Sequence, residues 1–449
     1  IRPFASVLPD GNSSLSVVEL DVEKVKTKGW SGRRAEVGAP GPLYSLDGTL
    51  GEPMEFTAHD FFLAIAKADL YQTFTPEDAA AHCEEFWFHC RSLLDWQKTP
   101  LHLAKGKARF YKSHGTMAGQ IGEGVTLLFM RDREYPYWDH LQSLLKRAFG
   151  EAEAGKHAEN NLALPSIVKP VKVARKERNK GDNSHPDFAC QNEAGQWALA
   201  EAKGSFVTGK KLPNAKGDLS RAIKQLDALM KRYKFQADKT YAVGAYLRER
   251  EDCCHEPSLV AFTDPANTNT QLAEAAFPSD WIRRGNYGAW LLGMGFFDSG
   301  IALRERRSRE VQFVCLPVIR FADHFFAFTI QSVHGRVDAH VPPHFGSHDC
   351  SDAPALAMRH VSHHFKSEPE WVIRGIEISI LRMLGSAIAD GLNRSLLQLR
   401  PVRSDGGLTV GTFREEGIVG SVLADGTMLA TVRPASRPDA AIQYMGFKL

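Results

Sequence analysis

What the chain lacks narrows its identity first. Its longest uncharged apolar run, Tyr287 to Phe297, falls well short of the roughly 20 residues a helix needs to cross a bilayer. Residues 1–20 have neither the charged start nor the apolar core of a secretory signal. Cysteine is sparse: seven residues, an odd number without framework spacing, which fits a reducing cytoplasm better than a disulfide scaffold. The sequence contains no phosphate-binding Gly-x-x-x-x-Gly-Lys-Ser/Thr loop, no helicase motif and no Gly-x-Ser-x-Gly elbow. Any ATP-driven movement would therefore need a partner protein. Internal repeats and long low-complexity tracts are also missing.

Net charge is scarce as well, at +2 over 449 residues, and by itself points to no polyanionic partner. Its distribution says more. Between Pro165 and Arg250 there are 18 Lys and Arg against nine Asp and Glu, a local +9 that leaves −7 for the rest. Lys169, Lys172, Arg175, Lys176, Arg178 and Lys180 form the first cluster. Lys210, Lys211, Lys216, Arg221, Lys224, Lys231, Arg232 and Lys234 follow. Local clusters of this kind suit a phosphate backbone. Hydrophobic content of 43% and charged content of 24% are those of a soluble globular protein of two or three domains.

Between the two basic clusters lies the most informative stretch, His185-Pro186-Asp187-Phe188-Ala189-Cys190, then Gln191 to Gln196, then Trp197-Ala198-Leu199-Ala200-Glu201-Ala202-Lys203-Gly204. It reads as two short apolar strands joined by a turn at Asn192-Glu193-Ala194-Gly195. Strand alternation puts Trp197, Leu199, Glu201 and Lys203 on one face. Ala198, Ala200, Ala202 and Gly204 make the other, smooth enough for a helix to approach closely. Two carboxylates on neighbouring strands with an ammonium two residues from one of them suit a magnesium site with a lysine beside it.

Pro186-Asp187 and Glu201-Ala202-Lys203, with thirteen residues between the acids, resemble the signature of the PD-(D/E)XK (restriction-endonuclease-like) nuclease superfamily. A helix over Asp218–Tyr233 and a strand over Thr240–Leu247 continue the family's order of strand, strand, helix, strand. The resemblance covers about a third of the chain. It implies an α/β fold with a restriction-endonuclease-like core, a mixed central sheet flanked by helices, between N-terminal and C-terminal α+β regions. It also implies Mg²⁺, replaceable by Mn²⁺, held by Asp187, Glu201 and the backbone carbonyl of Ala202, with Lys203 orienting water or stabilising developing charge. The family's further acid, from a helix before the first strand, falls on Glu123 in Gly119–Met130, ahead of a first strand in Tyr135–His140. Glu151, Glu153 and Glu159 are the alternatives. Gln225, on the helix after Lys203, is a candidate to reach the substrate together with Lys172, Arg175, Lys176, Arg178, Lys180, Lys210 and Lys211.

Three regions are expected: 1–114 for partner or substrate binding, 115–265 for the nuclease-like core, and 266–449 for specificity or assembly. The first holds a Gly/Pro-rich stretch at residues 38–42 and a helix from Thr75 to Trp96. The last has helices over Tyr287–Arg304 and Trp371–Leu392, strands over Val311–Arg320 and His324–Ile330, and a hairpin turning at Asp425-Gly426. Histidines 340, 344, 348, 360, 363 and 364 with Cys350 match no zinc-finger spacing and read as scattered surface residues. His82-Cys83 and His89-Cys90 cannot close around one zinc ion from one straight helix, and vicinal Cys253-Cys254 is given no role. The glycines from Gly285 to Gly300 suit close helix packing.

The expected activity is metal-dependent phosphodiester hydrolysis in a cytoplasmic setting, with DNA ahead of RNA as substrate and no membrane partner. A prokaryotic restriction or anti-phage role suits such a nuclease with large flanks, which are also places for protein partners or self-association. The competing readings are a non-catalytic nucleic-acid-binding or assembly subunit that keeps the fold, and a toxin-like nuclease effector.

Overall fold

The computed structural model describes residues 12–26, 48–70, 93–96, 100–106, 114–149, 187–207, 213–233, 237–250, 258–265, 279–321, 324–332, 344–345, 371–400, 403–404, 407–408, 411–415, 418–432 and 443–449. The chain divides into two compact units. One comprises Asn12–Glu55 and Ser92–Ile282, the other Ile1–Gly11, Phe56–Arg91 and Arg283–Leu449.

The first unit is built on a mixed sheet. In chain order its main elements are strand β1 (Asn12–Glu19), helix α1 (His114–Asp132), strand β2 (Tyr137–His140) and helix α2 (Leu141–Phe149). Strands β3 (Phe188–Gln191) and β4 (Trp197–Val207), helix α3 (Ala215–Tyr233), and strands β5 (Lys239–Arg248) and β6 (Leu259–Thr263) follow. The sheet runs from the short strand Thr49–Leu50 through β1, β6, β5, β4 and β3 to β2. Pairing is antiparallel for β2–β3, β3–β4 and β5–β6, and parallel for β4–β5 and β1–β6. Beyond its first residue, central β5 is buried along its whole length, as a strand flanked by neighbours and covered on both faces should be.

The β3–β4 hairpin forms where the alternating residues predict it. The Asn192 N–H donates to the Gln196 carbonyl at 3.1 Å, and the Asn192 Oδ1 accepts the Gln196 N–H at 2.9 Å. Gly195 takes φ +84°, a left-handed conformation that glycine adopts without a Cβ penalty. The smooth face of β4 meets α1. A Cβ on Gly204 would stand 1.6 Å from the Ala118 carbonyl oxygen, and one on Gly122 would stand 2.8 Å from the Gly204 Cα. Helix and strand thus touch backbone to backbone. Phe129 of α1 meets Tyr241 of β5 edge-on at 5.8 Å on this same side.

Helix α3 covers the opposite face. Leu219, Ala222, Ile223, Leu226 and Leu229 make its buried stripe, while Arg221, Lys224 and Lys231 stay exposed. Tyr246 of β5, five residues from Tyr241 and so on the other face, brings its hydroxyl 3.3 Å from Asp218 of α3. The architecture is a mixed α/β sheet flanked by helices, as the sequence led us to expect. One difference is long-range: β1, from the stretch read as a separate N-terminal region, lies in the same sheet and pairs Ser16–Glu19 with Leu259–Phe262.

The second unit carries an antiparallel sheet. Its strands run in the order His344–Phe345, Phe313–Phe321, His324–Ser332, Trp371–Glu377, Thr427–Val432, Ile418–Val422 and Gly411–Glu415, with Gln443–Lys448 also paired to Phe313–Phe321. The Asp425-Gly426 hairpin forms, with Gly426 at φ +77°. Two helical expectations change. Trp371–Leu392 is a strand, Trp371–Glu377, followed by a helix, Ile378–Asp390. Aromatic and β-branched residues 371–373 favour the sheet, and the Glu377 side chain caps the helix by accepting the Ser379 and Ile380 N–H groups. Tyr287–Arg304 is two helices, Trp281–Gly293 and Phe297–Glu305, parted at Gly295 with φ +89°. Lys67, from the helix Ala58–Leu70, is buried against the Asp425 carboxylate and bonds Asn286 at 3.3 Å.

Cys190 is a buried free thiol whose pKa burial pushes up, so it is not a reactive nucleophile. Cys315 is disulfide-bonded, so not all seven cysteines are free. Among the described residues no helix is long and apolar enough to cross a membrane. Of the expected helix Thr75–Trp96 only residues 93–96 are described, and there Leu94–Asp95 is a strand paired with His102–Leu103 and not the end of a helix. The vicinal cysteines and the histidines other than His344 in the 340–364 group lie outside the described residues.

Candidate active site

The acids and the lysine singled out in the sequence meet where β3 stops. The β3 ladder reaches only Phe188, paired to Ala200, whereas β5 accompanies β4 from Ala198 to Val207. Asp187 sits just off that end, Glu201 and Lys203 just beyond the last paired residue of β4. The neighbouring strand gives way at this point, which opens a notch in the sheet flanked by all three side chains.

Each group is held from a different direction. The Asp187 Oδ2 accepts the Ala202 N–H at 2.7 Å, and the Asp187 carbonyl accepts the Leu141 N–H at 2.9 Å. In extended backbone the N–H and C=O of one residue point to the same side, so the Ala202 carbonyl faces the Asp187 side too. The Lys203 ammonium pairs with the Glu201 Oε1. Glu201 is 1% exposed and Lys203 24%, so the lysine reaches towards solvent from a buried carboxylate. The Glu201 Oε2 is buried with no hydrogen-bond partner among the described residues.

Electrostatically the group is incomplete. Two carboxylates and one ammonium leave a negative excess when both acids ionise. Burial pushes the Glu201 carboxyl up to about 8, the Asp187 charge adding to this, with Lys203 and the Asp187 backbone N–H opposing. Burial likewise lifts half-buried Asp187 to about 6 against the pull of the Ala202 N–H and Lys203. Buried acids poised this way ionise more easily beside a cation.

The remaining candidates divide. Glu123 lies on α1 directly after Gly122, whose backbone abuts Lys203 and Gly204, so it is carried to this end of β4. Among the described residues, however, no three His, Cys, Asp or Glu side chains form a ready metal cluster, and Glu123 does not complete one with Asp187 and Glu201. Gln225 is half-buried at the edge of the α3 stripe, on the helix that covers the Glu201 face, and makes no hydrogen bond to the three site residues. Glu151, Glu153, Glu159, Pro186, Lys172, Arg175, Lys176, Arg178, Lys180, Lys210 and Lys211 lie outside the described residues. The sequence reading passed over Asp139 of β2, fully buried and ion-paired with Arg147. An acid inside the apolar run Tyr137-Trp138-Asp139 was the available signal.

The fold and this notch define an α/β protein whose sheet edge gathers two carboxylates and a lysine. Comparison with protein-family models, curated proteins and solved structures finds no match for the chain.

Proposed function

We propose that the unit containing Asp187, Glu201 and Lys203 is a metal-dependent nuclease, hydrolysing phosphodiester bonds in nucleic acid, with DNA as the preferred substrate. The observation that carries this reading is the convergence of Asp187 and Glu201 at the end of β3, with Lys203 on Glu201 and one Glu201 oxygen buried without a partner among the described residues. The succession β3, β4, α3, β5, a strand, strand, helix, strand order, supports the same reading.

The donor set fits a hard divalent cation. Asp187, Glu201 and the Ala202 carbonyl offer only oxygen, and magnesium is commonly held by one or two carboxylates while keeping several waters for itself and the substrate phosphate. When bound, the ion would polarise the phosphate and make water a better nucleophile at neutral pH. The chain's own groups do the rest. Lys203, whose ammonium pairs with Glu201 and reaches towards solvent, would orient the attacking water or meet charge growing on the phosphate. Asp187 is fixed through one oxygen by the Ala202 N–H. Exposed Arg221, Lys224 and Lys231 on α3 add sequence-independent attraction for the backbone.

The test is incubation of the purified protein with supercoiled plasmid, single-stranded DNA and RNA in Mg²⁺, Mn²⁺ or EDTA. The expected result is metal-dependent cutting of DNA that leaves 5′-phosphate ends. Binding of all three substrates with no cutting in either metal would replace this reading with that of a non-catalytic nucleic-acid-binding subunit.

A further inference from the structure

Asp187 immediately precedes its strand, where the ladder alone fixes the chain poorly. Its backbone carbonyl is held by the N–H of Leu141, the first residue of α2, at 2.9 Å. The bond lies in register with the β2–β3 ladder, so the β2–α2 corner is one of the groups that fix Asp187, together with the Ala202 N–H. Helix α2 turns back directly from β2, whose His140 and Asp139 pair with Phe188 and Ala189 next to Asp187. Leu141, Leu144 and Leu145 bury its apolar side. Apolar burial holds a helix against a sheet but resists sliding weakly, because it has no direction.

Direction comes from a buried charge pair. Arg147, in the last turn of α2, ion-pairs with the Asp139 carboxylate and donates through Nη1 to the Ser143 Oγ at 3.1 Å. The Asp139 side chain is 0% exposed and that of Arg147 13%. A buried ion pair is seldom the most stabilising filling for such a place, and its best-attested use is to fix one register among several. The bridge spans eight residues and closes the β2–α2 corner into a loop that contains Leu141.

We infer that the Asp139–Arg147 pair is a positioning device for Asp187: it locks the corner whose Leu141 N–H holds the Asp187 main chain, and so sets the Asp187 carboxylate against Ala202. The geometric part stands by itself; the consequence for metal binding and cutting rests on the nuclease reading above. Neither residue touches the reacting atoms. A displacement of about 1 Å at a ligand is enough to cost 100-fold in rate, and loss of a supporting contact commonly costs 10–100-fold in metal affinity.

The experiment compares wild type, Arg147→Met and Arg147→Lys, with Leu15→Ala as a control. Leu15 is buried in β1, across β6 and β5 from the site, so it lowers stability without reaching the corner. Amide hydrogen exchange on the metal-free proteins, well below their unfolding temperatures, reads the geometry. In Arg147→Met the Leu141 and Ala202 amides should exchange roughly tenfold faster, with Val243 of β5 unchanged and Arg147→Lys intermediate. Calorimetric titration with Mn²⁺ should show half-saturation at roughly tenfold higher metal in Arg147→Met and unchanged in Leu15→Ala. Ala202 protection equal to wild type in Arg147→Met overturns the inference, and if that variant does not fold, the same comparison in Arg147→Lys decides. A wild type that binds no Mn²⁺ and cuts nothing overturns the nuclease reading instead, while the exchange result still decides the positioning role.

Discussion

Glu201 keeps one oxygen on Lys203 and another buried without a partner among the described residues, and this makes its protonation a measurable part of stability. Its carboxyl is raised by burial to about 8 and that of Asp187 to about 6. The folded chain therefore holds these protons more tightly than the unfolded chain does. Their contribution is complete below the ordinary carboxylate range and is lost as pH rises through about 6 for Asp187 and about 8 for Glu201. The urea midpoint of the metal-free protein should fall across this window, Glu201→Gln should flatten the fall, and Mg²⁺ should oppose it. A flat profile in wild type would show that the acids are already compensated. The lysine behaves differently from the acids. Lys203 competes with any cation for Glu201, so Lys203→Ala should bind Mn²⁺ at least as tightly as wild type while losing about 10²–10⁴-fold in cleavage rate. Weaker Mn²⁺ binding in that variant, measured by calorimetry, would place the lysine among the groups that hold the ion.

Helix α1 and strand β4 approach so closely that Gly204 has no room for a methyl group. Its Cβ would fall on the Ala118 carbonyl, a backbone atom that cannot swing away. Gly204→Ala should destabilise the fold by at least about 2 kcal/mol in urea unfolding. Gly195→Ala, which only forces alanine to φ +84°, should cost about 1 kcal/mol and leave the site intact. These local elements were legible in the sequence because their signals are local. Alternation from Trp197 to Gly204, a turn ending in glycine, and the Asp425-Gly426 hairpin each declare themselves within ten residues. What stayed hidden depends on distant partners. Nothing in Asn12–Glu19 announces a parallel neighbour at Leu259–Thr263, and the apolar run from Trp371 suits helix and strand equally until Glu377 caps the helix. The same holds at the site. Asp187, Glu201 and Lys203 were readable from their spacing, whereas the Leu141 bond and the Asp139–Arg147 pair needed the β2–α2 corner to be folded.

At the scale of the whole molecule, two units with separate sheets share one chain that passes between them more than once. Each should answer to its own interior. In the second unit, Lys67→Met would leave the Asp425 carboxylate buried without its cation, a loss of about 3–5 kcal/mol by urea unfolding. Metal should stabilise the unit built on β1 to β6 and do nothing for the Lys67→Met defect. The positive stretch from Pro165 to Arg250 surrounds the acids in sequence. The central claim is that Asp187, Glu201 and Lys203 act together as a metal-dependent phosphodiesterase. Its most direct test is the rate of supercoiled plasmid nicking in Mg²⁺ by wild type, Asp187→Ala and Lys203→Ala, each checked for folding and for DNA binding. Nicking by wild type alone, abolished by EDTA, is the predicted result; nicking that persists in both variants would contradict the account.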